Sequence, residues 1–187
     1  MTSPSAGPPS QELPEHVGEN RRFWDERAGE WVDRGVRCWA ASEPWWGEFE
    51  LPESQVGMLP ADLSGVEAIE LGCGTAYVSW WMAQRGAWVV GIDNSEAQLA
   101  TARRLADEHG AGLTLVHGSA EAVPYPDGSF DFAISEYGAS VWCDPYRWIP
   151  EAYRLLRPGG RLVFLGTHPL AVVCAPLDGS SPIREEL

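Results

Sequence analysis

The chain contains no lysine: its 13 basic residues are all arginine, set against 27 aspartates and glutamates for a formal charge of −14. A surface with that excess repels phosphate backbones and anionic headgroups, so neither nucleic acid nor a membrane surface is expected as a partner. Cysteine is scarce too. Cys38, Cys73, Cys143 and Cys174 stand far apart and form no CxxC pair, which argues against a zinc cluster or a disulfide scaffold. Carboxylates and histidines are not grouped at ligand spacing either, so no metal is expected. Long apolar runs are missing: none approaches the roughly 20 residues that span a bilayer, and the opening MTSPSAGPPSQELPEH lacks the apolar centre of a signal peptide. These absences point to a soluble, cytoplasmic protein acting on a small molecule.

What is present suffices for one domain, since 187 residues at 44% hydrophobic content can bury a real core. Residues 1–16 are rich in proline, serine and glycine and are expected to form a disordered tail. Tryptophan is abundant, with ten in the chain. Half of them, Trp24, Trp31, Trp39, Trp45 and Trp46, fall between residues 19 and 60. The spacing of Phe23, Trp24, Trp31 and Val32 predicts a helix over about 19–34. Residues 17–60 therefore read as a tryptophan-rich helical cap over a cleft, with plain packing onto the main domain, 61–187, as the competing reading.

From residue 65 the pattern turns regular. Apolar runs at 66–71, 87–92, 113–117, 130–135 and 161–166 alternate with helical stretches at roughly 75–85, from Asn94 or Ser95 through ARRLADEH, and near 148–156. Pro158-Gly159-Gly160 is expected to stop the last helix. Strands that are apolar on both faces and alternate with helices predict a doubly wound, Rossmann-like α/β fold around a mostly parallel sheet with right-handed crossovers.

In such a sheet the ligand sits beyond the carboxyl ends of the strands, where their order reverses. The first strand ends in Glu70-Leu71-Gly72-Cys73-Gly74-Thr75-Ala76-Tyr77. Gly72 and Gly74 allow a tight turn and close approach to a helix N-terminus. The third glycine of a dinucleotide fingerprint would fall at Tyr77, which disfavours a nicotinamide-dependent oxidoreductase. Glu70 disfavours it further: a carboxylate there repels a pyrophosphate and attracts a ligand bearing an ammonium and a sulfonium. Asp93 ends the second strand and can accept hydrogen bonds from both ribose hydroxyls of an adenosine ligand. Gly118-Ser119-Ala120-Glu121 follows the third strand, where an adenine would lie.

The segments AIELGCGTA (68–76), VVGIDNSEAQLATAR (89–103), HGSAEAVPYPDGSFDFAIS (117–135) and EAYRLLRPGGRLVFLG (151–166) resemble, in order and spacing, the class I S-adenosylmethionine-dependent methyltransferases. The likeness spans about 20–170 and is strongest to the ubiquinone/menaquinone-biosynthesis type. The resemblance implies that Glu70, Gly72, Cys73 and Gly74 surround the methionine part of S-adenosyl-L-methionine and that Asp93, Asn94 and Gln98 attend the ribose. It further implies Ser119, Ala120 and Glu121 at the adenine and Ser135 near the methionine end. One departure stands out. Family members carry two more strands after the fifth, and HPLAVVCAPLDGSSPIREEL is too short to supply them. The chain thus reads as lacking the last two strands, and the fifth would be an apolar edge, covered by the N-terminal cap, by a homodimer partner or by another chain.

The implied reaction is methyl transfer to a small, aromatic or apolar metabolite; the alternative is a cofactor-binding, catalytically inactive or regulatory subunit. Direct displacement from a sulfonium needs alignment and dryness more than acid–base help, but an oxygen nucleophile can use a base. Glu136 and His168 are the candidates at the rim. In EYGASVWCDPYRW (136–148), Tyr137 and Trp142 are expected as an aromatic wall, closed by Trp24 and Trp31, while Trp148 is expected to pack inward.

Overall fold

The computed structural model describes residues 14–174. Five strands make one fully parallel sheet: β1 (Glu67–Leu71), β2 (Trp88–Asp93), β3 (Thr114–His117), β4 (Phe130–Glu136) and β5 (Leu156–Leu165). Their order is β3-β2-β1-β4-β5, so the winding reverses between β1 and β4, directly beside the glycine turn. The longer helices are α1 (Glu15–Arg27), α2 (Val32–Ala40), α3 (Tyr77–Gln84), α4 (Glu96–His109) and α5 (Pro145–Leu155).

Both faces of the sheet are covered. Ala68 on β1 and Phe132 and Ile134 on β4 pack against Trp81 and Met82 of α3. The alternate residues Ile69, Leu71, Val90, Ile92 and Ala133 pack against Trp148, Ala152 and Leu155 of α5. Each fully buried leucine, isoleucine, phenylalanine or methionine among them contributes about 1.5–3 kcal/mol. Ser95 caps α4, its hydroxyl accepting from the Gln98 amide at 3.1 Å, and Gly110 ends that helix in the left-handed conformation. Asp144 caps α5 in the same way, accepting from the Tyr146 amide at 2.9 Å with Pro145 in the first turn.

Three boundaries differ from the sequence reading. The single helix expected over 19–34 is two helices, α1 and α2, joined by a 3-10 turn at Ala28–Trp31. Glu15 and His16, expected in the tail, already belong to α1, and the rest of that tail, 1–13, lies outside the described residues. Pro158-Gly159-Gly160 does not separate α5 from the last strand. Helix α5 ends at Leu155, and β5 starts at once with Leu156 opposite Phe130; the Pro-Gly-Gly bulge then restores register at Phe132–Arg161.

The N-terminal elements pack on the domain rather than beside it. The indole N–H groups of Trp39, Trp80 and Trp81 donate to Thr75 O, Trp39 O and Cys38 O at 2.9, 3.1 and 3.1 Å, and the Trp39 and Trp80 rings stack 5.2 Å apart. The pair Trp45–Trp46/Leu51–Pro52 adds a two-residue antiparallel ladder, whose Trp46 packs near Val163 and Leu165 on the inner face of β5. Among the described residues no strand pairs with the outer edge of β5, and Phe164 is half exposed there. No described helix is long and apolar enough to cross a membrane, and no described cluster of histidine, cysteine or carboxylate residues could hold a metal.

Candidate active site

The carboxyl ends of β1, β2, β3 and β4 open into one cleft of about 320 Å³, roofed by α1 and α2. Ten of the eleven residues expected at a cofactor line it: Glu70, Gly72, Cys73, Gly74, Asp93, Asn94, Gln98, Ser119, Ala120 and Glu121. So do all four expected at the acceptor, Trp24, Trp31, Tyr137 and Trp142. Ser135 stands behind the cleft, fully buried; its hydroxyl donates to Leu71 O at 2.8 Å and accepts from the Ser140 amide at 3.2 Å. That serine braces β1 against the loop after β4 instead of facing a ligand.

Glu70 points to the α3 side of β1. Its Oε2 accepts from the Ser79 amide at 2.7 Å and the Ser79 hydroxyl at 2.6 Å, and no basic residue is hydrogen-bonded to it. Burial pushes its carboxyl up to about 8, against the pull of the two Ser79 hydrogen bonds. Asp93 accepts from the Gly74 amide at 2.7 Å and the Ser95 amide at 2.8 Å; burial raises its carboxyl as well. It therefore shapes the glycine turn as well as facing the cleft.

The two glycines do different work. Gly72 is left-handed (φ 77°), and a Cβ there would meet Ala139 N at 2.6 Å and Gly138 Cα at 2.7 Å. Its smallness lets the loop after β4 close over the turn. Gly74 is also left-handed (φ 52°), but a Cβ would meet only Gln98 Oε1, at 3.9 Å, so its missing side chain leaves room on the cleft side. That Gln98 oxygen is buried with no hydrogen-bond partner among the described residues, which a ligand donor would satisfy.

Several expected ligand residues turn out to be struts for the roof. Glu121 Oε1 accepts from His16 Nε2 at 2.8 Å and from the Asp144 amide at 2.9 Å. The Arg21 guanidinium donates to Asn94 Oδ1 at 2.8 Å, while Asn94 Nδ2 donates to Val17 O at 2.7 Å. Asn20 Nδ2 donates to Trp142 O at 2.6 Å, and the Ser95 hydroxyl donates to Asp25 at 2.6 Å. Helix α1 is thus bolted to the loops after β2, β3 and β4. Above them Trp142 lies 5.3 Å from Phe23 and 5.0 Å from Trp24, and Trp24 lies 5.7 Å from Trp31.

Glu136 lines the cleft; His168 does not, and its Nδ1 accepts from the Leu170 amide at 3.1 Å. Glu136 accepts from the Gly47 amide at 3.1 Å and from the Tyr77 hydroxyl, so Tyr77 fills the place of a third glycine with a fixed polar wall. Trp148 packs inward as expected, edge-on to Phe164 at 5.4 Å. Tyr146 is almost fully exposed and outside the cleft. Sequence reasoning missed Arg34, Gly47, Glu48, Thr167 and Val17. A tryptophan-spaced segment containing arginine was the one available signal, for Arg34.

The family described as "Methyltransferase domain" matches residues 69–164, from the middle of β1 to near the end of β5. This chain belongs to that family. Its methyltransferase domain is 38% identical over 103 residues to a demethylmenaquinone methyltransferase of Thermus thermophilus, a match covering 54% of this chain and 47% of that protein. It is 36% identical over 115 residues to the chloroplastic 2-methyl-6-phytyl-1,4-hydroquinone methyltransferase 2 of Oryza sativa, covering 59% of this chain and 32% of that protein. Among solved structures, an S-adenosylmethionine-dependent methyltransferase from Mesorhizobium loti superposes with a TM-score of 0.55 at 33% identity, covering 63% of this chain and 54% of that one. The chain spans less than half the length of the two curated relatives named here.

Proposed function

We propose that this cleft carries out S-adenosylmethionine-dependent methyl transfer to a small, flat acceptor of the quinol or phenol class. The observation that carries the reading is Glu70: a buried carboxyl at the end of β1, with no basic hydrogen-bond partner among the described residues, sharing a cleft with five aromatic side chains. Such a group is matched by an ammonium or sulfonium and by nothing anionic. The demethylmenaquinone and hydroquinone activities of the relatives support the acceptor class.

The cofactor supplies an electrophilic methyl group on a sulfonium. The protein's part is placement. Gly74 admits the ligand to the turn, Glu70 holds its cationic end, and Asp93 and Gln98 Oε1 take hydroxyl donors. Ser119, Ala120 and Glu121 border the base. Trp24, Trp31, Tyr137 and Trp142 hold the acceptor flat and keep water out, which is what an in-line displacement requires. Glu136 serves as a positioning residue, since both its oxygens already accept hydrogen bonds. The domain division at residue 60, with 17–60 as the cap, follows from the same assignment. On the same reading the protein is cytoplasmic, the charge of −14 supports the absence of a nucleic-acid partner, and the edge of β5 that no described strand pairs with is the surface for a second copy or another chain.

The test is calorimetric titration with S-adenosylhomocysteine and, in parallel, NADH, followed by mass spectrometry of a reduced 1,4-naphthoquinol incubated with protein and S-adenosylmethionine. Micromolar binding of the first ligand and a methylated quinol are expected. NADH binding alone overturns the reading.

A further inference from the structure

Of the 29 described residues around the cleft, Arg34 alone is basic, and it shares the lining with five acidic residues: Glu48, Glu70, Asp93, Glu121 and Glu136. A ligand oxygen with negative character is repelled along most of this wall and attracted at one place. Arg34 is also incompletely used. A guanidinium has five N–H donors; Arg34 gives one from Nη2 to Gly47 O at 3.2 Å and stands beside the Tyr77 phenol and 3.9 Å from Glu136 Oε1. Its Nε–H is buried with no partner. The guanidinium is held in place from one side by the Trp45 ring, 4.6 Å away, with Trp31 at 5.9 Å. Arg34 comes from α2, outside the residues that match the family, and it lies among the aromatic residues of the cleft rather than on the glycine turn.

We propose that Arg34 is the specificity residue for the acceptor: it selects a flat ring carrying a hydroxyl or oxo oxygen and orients that oxygen towards its guanidinium. The inference rests on reading the aromatic half of the cleft as the acceptor site. Glu136 and Tyr77 fix the guanidinium from behind, so the oxygen and the ring edge to be methylated are held in one orientation. Arg34 takes no proton; it favours the ionised acceptor, whose hydroxyl proton has gone to solvent, over the neutral one and so raises the bound fraction that can attack the methyl group. A cationic acceptor would be repelled at this position, and an all-hydrocarbon acceptor would leave the arginine without an oxygen to bind.

The test is equilibrium dialysis of 1-naphthol against 1-methylnaphthalene, two molecules of one shape that differ by hydroxyl against methyl. It is run on the full chain, with and without saturating S-adenosylhomocysteine, for the unaltered protein, Arg34→Met and Arg34→Lys. The unaltered protein is expected to prefer the naphthol by about tenfold, the scale for one charge-assisted hydrogen bond in a dry site. Arg34→Met should lower that ratio by about tenfold or more while leaving S-adenosylhomocysteine affinity unchanged, and Arg34→Lys should restore part of it. No preference in the unaltered protein, or an undiminished one in Arg34→Met, overturns the proposal. If Arg34→Met does not fold, Arg34→Lys, which keeps Glu136 paired, decides: an unchanged ratio overturns it. Failure to bind S-adenosylhomocysteine would strike the cofactor reading instead, and the naphthol ratio would still be read on the free protein.

Discussion

Both hydrogen bonds that Ser79 can donate go to one oxygen of Glu70: the amide reaches Oε2 at 2.7 Å and the hydroxyl at 2.6 Å. The arrangement fixes the carboxyl and leaves its other oxygen without a protein donor, in a residue that lines the cleft. Strand β1 puts Glu70 on the side facing α3, and α3 begins immediately after the glycine turn. The acid and its serine anchor are therefore consequences of one strand–turn–helix unit.

The pH dependence of ligand binding follows from that geometry. With its carboxyl pushed up to about 8 by burial, Glu70 is mostly protonated at pH 7, whereas a cationic ligand favours the carboxylate. Affinity for S-adenosylhomocysteine, through its ammonium, should rise by up to about tenfold per pH unit below pH 8 and level off above it. Calorimetry at pH 7 in phosphate and in Tris should show release of close to one proton. Glu70→Gln should abolish both the proton release and the slope. The sign for stability is opposite. The folded carboxyl sits above its unfolded value, so Glu70's contribution is fully present below about pH 4.5 and is lost as pH rises towards 8. The melting temperature of Glu70→Gln should fall less over that window.

Gly72 and Gly74 should separate under substitution. Alanine at Gly72 drives a Cβ to within 2.6 Å of backbone at Ala139, which has no flexible neighbour to give way. Gly72→Ala should cost about 2 kcal/mol or more of stability, from overpacking added to left-handed strain. Gly74→Ala meets only a distant side-chain oxygen at 3.9 Å and should cost about 1 kcal/mol, the left-handed penalty alone. Its larger effect should be on S-adenosylhomocysteine affinity. Urea melts and calorimetry on both variants check the contrast; equal losses of stability would contradict it.

Asp93 faces the cleft and holds two backbone amides. Asp93→Ala unpairs the part-buried Gly74 and Ser95 N–H groups, at about 1 kcal/mol for each, since water in the cleft can reach them. Both melting temperature and ligand affinity should fall. Unchanged affinity would remove the ribose assignment, and unchanged stability would show that the turn does not need the carboxylate.

The fold was legible where burial is local and the site where chemistry is local. Ala-Ile-Glu-Leu in β1 is buried on both faces, and an apolar run between turns announces that. Glu70, Gly74 and Asp93 sit at strand tips, where topology alone brings ligand-facing residues together. The roof itself was legible in the tryptophan spacing, but its attachment was not. Helix α1 buries only Val17, and its attachment runs through Arg21–Asn94, Asp25–Ser95 and His16–Glu121, pairs separated by 70 to 105 positions. No periodicity encodes such contacts. For the same reason the engagement of Asn94 and Glu121 by α1 gave no signal, although both residues line the cleft as expected. The Pro-Gly-Gly segment misled in another way: it looks like a breaker between elements, and the sheet uses it as a bulge inside β5.

Because α1 is held by polar bolts over little buried apolar surface, it should be the first described element to open. Hydrogen exchange should show residues 15–27 unprotected relative to β1 and β4, and S-adenosylhomocysteine should slow exchange there. Asp25→Ala removes the acceptor of the Ser95 hydroxyl and of the Ala97 amide, and it should raise exchange in α1 while leaving the sheet untouched. Ligand dissociation should speed up by about three- to tenfold, because one bolt of this kind is worth about 1 kcal/mol net. Dissociation measured by stopped flow decides the point: an unchanged rate with α1 loosened would mean that the ligand leaves by a path the helix does not cover.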